Sequence, residues 1–493
     1  MPDTYKNYIK GRWVEARSGR TFENRNPANG ELLGLFPDSG AEDVNDAAAA
    51  ARAAFTSWRV YPAPKRGEIL FRFGQLLAAH KDEIARLMTM EMGKVLKEAG
   101  GDVQEGIDMA FYMGGEGRRL FGFVTPVELP NKSGMAVRDP IGVVGVITPW
   151  NFPIAIPSWK MLAALICGNT IVFKPAKDTP LCATKFVELL TEAGVPEGVV
   201  NLVHGSGPNV GMPIVQHPDV DVITFTGSNE TGREVNVEAA RRIKRVSLEL
   251  GGKNAIMVMD DADLDLAVDG ILWSAFGTSG QRCTAASRVI AHRGVRRELE
   301  ERLVARASAL RLGDGLLPTT DVGPVINEAA IKRIDSYTQI ARQEGAAVLV
   351  GGAIAREGEL AKGSFYRPTL YSNVRPEMRV AQEEIFGPCT SIIEVASLEE
   401  AIQVNNGVAY GLSSSLYTQD INAVQRAMRD VTSGILYINA GTIGAEIQLP
   451  FGGTRGTGNG HREAGLGAIE TFTEWKSIYI DYSGKLQRAQ IDA

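Results

Sequence analysis

Between residues 140 and 226 the chain alternates two textures. The runs 141–147, 170–173, 199–203 and 220–225 are apolar almost without interruption, as strands are when both faces of a sheet are covered. Between them the apolar residues space out at helical intervals, over 180–194 and 207–217. Strand and helix in strict alternation predict a parallel, doubly wound sheet. A second alternating unit extends from Lys253 to about Gly460, with strands near 255–259, 347–350, 390–394 and 434–438. Upstream, 5–36 reads as short strands and turns, and 41–58 as an alanine-rich helix with acidic residues at its start, where the helix dipole favours them. Long amphipathic helices follow over 64–100 and 102–120. The segments 121–137 and 475–483 fit neither unit; they alternate at strand period and cannot bury a face alone.

These patterns give an α/β fold class: two doubly wound Rossmann-like domains plus a projecting β oligomerisation arm. The length of 493 residues agrees, exceeding the roughly 250 to 300 at which a single core stops growing. The expected division is 1–120 with 140–250 as a dinucleotide-binding domain, 251–469 as a catalytic domain, and 121–139 with 470–493 as the arm. The arm predicts a homodimer or homotetramer.

Composition narrows the class of function. Apolar content of 44% and charged content of 22% are those of an ordinary globular protein. A formal charge of -6 without basic blocks disfavours nucleic acid or an anionic membrane as a partner. No apolar run approaches 18 residues and the start lacks a secretory pattern, so a cytoplasmic location is expected. Four cysteines over this length form no disulfide framework, and five scattered histidines have no ligand-like spacing, so no metal site is expected. Cys167, Cys182 and Cys389 sit in apolar surroundings and read as packing residues.

Cys283 differs. It falls in a short passage after a predicted helix that Asp261 can cap and that Gly277 and Gly280 end, and just before the strand-like 289–291. A nucleophile on such a loop meets substrate while its backbone stays fixed, and Arg282 beside it favours a thiolate. Upstream stands Glu249, a carboxylate among apolar residues and glycines. Two glycine-rich strand-to-helix turns, 204–211 and 225–232, suit a pyrophosphate, although neither has the spacing G-x-G-x-x-G.

With these pieces in place the chain resembles the aldehyde dehydrogenase superfamily over nearly its whole length. Six motifs in register carry the resemblance: Thr-Pro-Trp-Asn-Phe-Pro at 148–153, Phe-Thr-Gly-Ser at 225–228, Leu-Glu-Leu-Gly-Gly-Lys-Asn at 248–254, Gly-Gln-Arg-Cys-Thr at 280–284, Glu-Glu-Ile-Phe-Gly-Pro at 383–388 and Pro-Phe-Gly-Gly at 450–453. Asp102-Val-Gln-Glu105 and Gly444-Ala-Glu-Ile447 look like the antiquitin (alpha-aminoadipic semialdehyde dehydrogenase) branch. The stretches 141–159 and 448–451 look equally like bacterial semialdehyde dehydrogenases of the ketoglutarate type.

The resemblance implies oxidation of an aldehyde or semialdehyde with NADP or NAD. Cys283 would attack the aldehyde carbon, with the Asn151 amide and the Cys283 backbone N–H receiving the oxyanion. Glu249 would activate the water that hydrolyses the resulting thioester. For the cofactor it implies Ile147, Thr148, Pro149, Trp150, Gly207, Gly211, Phe225 and Leu250 along the cleft. Lys174 would contact the adenosine ribose, Gly227 and Ser228 the pyrophosphate, Glu384 the nicotinamide ribose, and Phe386 the nicotinamide. Lys177 stands where many NAD-preferring relatives carry a glutamate, which leans the expectation towards NADP. For the substrate it implies Phe152, Trp159, Thr284 and Phe451, with Arg282 pairing a carboxylate and Glu105 an ammonium. Two rival readings share the fold: an acylating enzyme that uses coenzyme A in place of water, and a binding protein without catalysis.

Overall fold

The computed structural model describes residues 3–488, 490 and 491; the extreme ends of the expected segments 1–120 and 470–493 lie outside the described residues. The first sheet runs, in spatial order, Arg245–Glu249, Val222–Thr226, Val143–Ile147, Thr170–Lys174, Val200–Leu202, Asn7–Ile9 and Arg12–Val14. Its first five strands are parallel, and the hairpin from the start of the chain closes the far edge antiparallel. Val143–Ile147 comes first in the chain among the five and lies in the middle, so successive connections leave it to opposite sides. That reversal opens a crevice beyond its carboxyl end, where such sheets bind ligands.

The second sheet has the order Ala347–Val350, Thr369–Ser372, Cys389–Val395, Ala286–His292, Asn254–Val258, Ser413–Tyr417 and Ile435–Ile438. All pairs are parallel except the outermost, Ala347–Val350 with Thr369–Ser372. The chain passes from one sheet to the other through Leu250, Gly251, Gly252 and Lys253 alone. The carboxyl ends of the first sheet therefore face the amino ends of the second. Cys283 precedes its strand, and Glu384 precedes Cys389–Val395, so the second sheet contributes its amino edge to the site, contrary to what a doubly wound sheet ordinarily does.

The helix Ala41–Trp58 forms where its alanine-rich pattern put it. The expected helices over 64–100 and 102–120 are instead Ala63–Ala79, Lys81–Met92 and Leu96–Glu116. Gly93, at φ +93°, ends the second of these in a left-handed turn, and the third starts before Asp102. The helix after Lys253 spans Leu264–Phe276, but its cap is Asp263, which accepts from the Asp265 and Leu266 N–H groups. Asp261, the expected cap, holds the hydroxyl of Thr418 at 2.9 Å. The buried Ala155–Ile166 lies under the first sheet, every residue of it covered.

The two segments outside both units pair with each other. Thr473–Asp481 lies antiparallel to Lys132–Pro140, and Phe123–Thr125 completes a three-stranded sheet. Phe121, Phe123, Val124, Trp475, Tyr479 and Tyr482 are all exposed on or beside it.

Candidate active site

Glu249 closes the last strand of the first sheet and Asn254 opens the first strand of the second. The Asn254 amide donates to the carbonyls of Cys283 at 2.7 Å and Ala285 at 3.0 Å, and its oxygen accepts from the Ser413 N–H at 3.0 Å. One buried side chain thus fixes the peptide that carries the thiol. On the other side, Thr278 and Ser279 adopt φ +52° and +55°, a left-handed turn that non-glycine residues take only when held there. The Glu98 carboxylate holds it by accepting from the Thr278 N–H at 2.9 Å. Gly280 must be glycine, at φ +67° and with the Gly387 carbonyl 2.1 Å from where a Cβ would stand.

Two hollows meet at Cys283. One, of about 780 Å³, is lined by all six residues expected for the substrate, namely Glu105, Phe152, Trp159, Arg282, Thr284 and Phe451, together with Glu249. The other, of about 1170 Å³, is lined by Pro149, Trp150, Asn151, Gly227, Ser228, Leu250, Glu384 and Phe386. Both include Ile156, Thr226, Leu250 and Cys283. A molecule in the first and a molecule in the second would therefore touch the same sulfur from opposite sides.

Protonation follows from burial. Surrounded by protein, the Cys283 thiol is pushed up to about 12, first by burial and then by the charges of Glu249 and Glu384, against the weaker help of the Thr284 and Cys283 backbone N–H groups. The Glu249 carboxyl stands well above the ordinary carboxylate range because it is buried, with Glu463 adding repulsion. Neither of its oxygens has a hydrogen-bond partner among the described residues. It packs against Gly452, where a Cβ would come within 2.6 Å of Oε1. Behind it Lys160 forms a buried ion pair with Glu463 and donates to the Thr224 hydroxyl at 2.9 Å. The pair was not anticipated from sequence, although a lone lysine within the apolar run 155–166 was the signal. Asn151, 2% exposed, uses one amide N–H on the Gln281 carbonyl at 3.0 Å, leaving the second for an oxyanion beside the thiol.

The second hollow fits a dinucleotide. Ser228 caps the helix Asn229–Ala240, accepting from the Thr231 N–H, so positive backbone dipole faces the cleft. Gly227 has no room for a side chain, since a Cβ would meet the Phe225 ring at 2.6 Å. Glu384 accepts from the Gly252 N–H at 3.0 Å. Phe386, at φ +55°, presents its ring edge to Trp150 at 5.5 Å. Beyond the end of Val143–Ile147, the Thr148 N–H donates to the Lys174 carbonyl at 3.2 Å. Lys174 is buried, lowered to about 8 by that burial, and bonded to the Pro175 carbonyl at 2.8 Å. Gly211 lies against it and Ile147, and Gly207 starts the turn that leads there. Lys177 stands apart: it is exposed, with its ammonium 4.4 Å from the Phe22 ring centre, in a separate surface cleft with Asp178 and Asn327.

At the substrate end the cations are already engaged. Arg282 pairs with Glu98 at 3.4 Å, donates to the Thr278 hydroxyl at 3.0 Å and lies over the Phe152 and Trp273 rings. Lys94 caps the opposite face of the same network, 3.9 Å from the Phe152 ring centre and 2.9 Å from Asp102. Glu105 is pushed up to about 8 by burial and by Asp102. Near neutrality it is a neutral carboxylic acid.

The chain as a whole is similar to proteins of known class. The model of the aldehyde dehydrogenase family matches residues 13–478. The chain is 40% identical over 479 residues to an alpha-ketoglutaric semialdehyde dehydrogenase of Bacillus subtilis, covering 97% of this chain and 98% of that one. It is 42% identical over 481 residues to a malonate-semialdehyde dehydrogenase of Geobacillus kaustophilus, covering 96% and 98%. Betaine aldehyde dehydrogenase of Staphylococcus aureus, crystallised in complex with NAD+, superposes with a TM-score of 0.96 at 35% identity, covering 98% of this chain and 97% of that one.

Proposed function

The chain belongs to the aldehyde dehydrogenase family and is an enzyme of that class, and on that premise we propose that it oxidises a carboxylate-bearing semialdehyde to the acid. The observation that carries this reading is the meeting of the two hollows at Cys283, with Glu249 and Arg282 in the wall of the first. Cys283 adds to the aldehyde carbon and Asn151 receives the oxyanion. Bound NAD or NADP supplies the hydride acceptor. Glu249 then takes the proton of the water that cleaves the thioester, and its place in the wall of the first hollow favours water over coenzyme A as the acyl acceptor. Family membership, with Cys283, Glu249 and Asn151 all present, favours catalysis over a purely binding role. The three-stranded sheet with its exposed aromatic residues supports a homodimer or homotetramer, and the cytoplasm as the site of action completes the proposal.

Charge selects the substrate. Arg282 faces the first hollow from a fixed position, and a neutral Glu105 does not repel an anion. The names of the Bacillus and Geobacillus relatives point the same way. The pairing of Glu105 with an ammonium, expected from sequence, is the second reading: Glu105 lines the same hollow, and an ammonium beside it would favour its ionised form. A short aldehyde with a terminal carboxylate should show a higher kcat/KM than an uncharged aldehyde of equal length. Arg282→Met should remove about 2 kcal/mol from the former, roughly thirtyfold, and change the latter by less than about threefold. Equal losses on both substrates would mean that Arg282 only braces Glu98 and Thr278.

Lys177 is the proposed determinant of cofactor choice. A glutamate there would repel the 2'-phosphate of NADP, and a lysine lets NADP in. Lys177→Glu should move the ratio of kcat/KM values towards NAD by about tenfold, roughly 1.4 kcal/mol. An unchanged ratio would leave Lys177 as a partner of Phe22 alone.

A further inference from the structure

Lys253 is a buried cation without an evident use. Its side chain is 1% exposed and its ammonium has no hydrogen-bond partner among the described residues. Isolated ammonium groups are not kept in protein interiors for packing, since a methionine fills the same space without the desolvation penalty. Its surroundings deepen the puzzle. Arg288, itself buried, donates to the Lys253 carbonyl at 2.7 Å and places a second positive charge nearby.

The carboxylates facing Lys253 are Glu384 and Glu383, with the Cys389 thiol between them in influence. Glu383 is already satisfied, by Arg379 at 2.8 and 2.9 Å and by the Tyr337 hydroxyl at 2.8 Å. Among the described residues Glu384 has one hydrogen bond, from the Gly252 N–H at 3.0 Å, and its other oxygen lies over Gly251, where a Cβ would stand 2.1 Å from Oε2. The glycine pair lets that carboxylate descend onto the backbone, and Lys253 is the next residue along. Other groups act on Glu384 more weakly: Arg333 from the helix Glu328–Gln343, with Tyr410 and the Cys283 thiol across the cleft.

We propose that Lys253 is a positioning residue for the cofactor: its buried ammonium is the counter-charge that keeps Glu384 ionised on the Gly252 N–H, ready to accept hydrogen bonds from a ribose of the bound dinucleotide. This rests on the reading of Glu384 as a ribose contact. Burial works against both charges, taking Lys253 down to about 7 and Glu384 up to about 7, and each charge favours the other against that burial.

The sign of the consequence is fixed. Without the cation the Glu384 pKa rises further, the carboxylate is lost near neutrality, and it returns as pH is raised. Titration calorimetry of NAD with the whole protein should give Lys253→Met about tenfold weaker binding than the native chain at pH 6.0, below both pKa values, equivalent to one pKa unit. The deficit should shrink to within about twofold at pH 9.5, with no fall in Tm. Lys253→Gln repeats the test if the methionine variant does not fold. Native affinity at pH 6.0, or a deficit that persists unchanged at pH 9.5, overturns the proposal. Glu384→Gln separates the two readings: it should bind NAD weakly at both pH values, and adding Lys253→Met to it should change nothing more. If Glu384→Gln binds NAD as the native protein does, the ribose contact itself is wrong; if only Lys253→Met does, the counter-charge is.

Discussion

Replacing Cys283 by alanine is expected to lower kcat/KM for aldehyde oxidation by at least about ten-thousandfold, with NAD binding and thermal stability unchanged. The sulfur is the thiol in the strip of wall common to both hollows, which it shares with Ile156, Thr226 and Leu250. The other three cysteines are buried in the cores, Cys182 with a pKa well above the ordinary thiol. The neighbouring hydroxyls, Thr226 and Thr284, are far weaker nucleophiles than a thiol. The change should also be structurally mild. Cys283 sits on a backbone held by Asn254 and by the left-handed turn at 278–279, and neither depends on its side chain.

The same substitution tests how the thiol is activated. Burial pushes Cys283 up to about 12, so little thiolate exists near pH 7 in the protein alone. A raised thiol pKa means that the reactive fraction grows as pH rises towards it, so the rate of the first half-reaction in the native enzyme should climb between about pH 6 and 9. Residual oxidation above about 1% of native in Cys283→Ala, measured on an enzyme shown to bind NAD, would move the nucleophile elsewhere.

How far the sequence reveals this site depends on which force placed each residue. Local pattern dominates in the helix Ala41–Trp58 and in the strand Ala347–Val350, an edge strand that is only partly buried, and both appear with the bounds their patterns give. The strand Ser413–Tyr417 escaped because its polar side chains hide its burial. Ser413, Ser414 and Ser415 are each satisfied internally, on the Thr442 carbonyl, the Asn405 amide and the Ala440 carbonyl, so three hydroxyls replace the expected apolar run inside the second sheet. The cap of Leu264–Phe276 moved by two residues for a related reason. Two aspartates compete there, and a tertiary partner, Thr418, takes Asp261. Motif order singles out the residues proposed to react, and the structure places Glu249 and Arg282 with Cys283 in one hollow and Asn151 with Cys283 in the other. The ion pair of Lys160 with Glu463 joins residues 303 apart, and no local pattern relates them. Nor could spacing tell which edge of the second sheet faces the first, because that follows from the short crossing at 250–253.

Glu249→Gln is expected to separate the two halves of the reaction. Attack by Cys283 and loss of hydride need the sulfur, the Asn151 amide and the bound cofactor, but no water. Hydrolysis of the thioester needs a base within reach of the acyl carbon, and Glu249 lines the same hollow as Cys283 with both of its buried oxygens uncommitted among the described residues. Glutamine fills nearly the same volume against Gly452, so the hollow should keep its shape. Rapid mixing of the variant with aldehyde and NAD should give a burst of about one reduced nicotinamide per site, followed by turnover slowed about a hundredfold or more, the usual scale of a lost general base. The native enzyme carries a companion signature. Because Glu249 is raised well above the ordinary carboxylate range by burial and by Glu463, its base form is lost as pH falls through that raised value. The second half-reaction should therefore fail on the acid side before the protein unfolds, and glutamine should erase that dependence. A Glu249→Gln enzyme that turns over at the native rate, or that shows no burst while retaining Cys283, would take Glu249 out of the hydrolytic step.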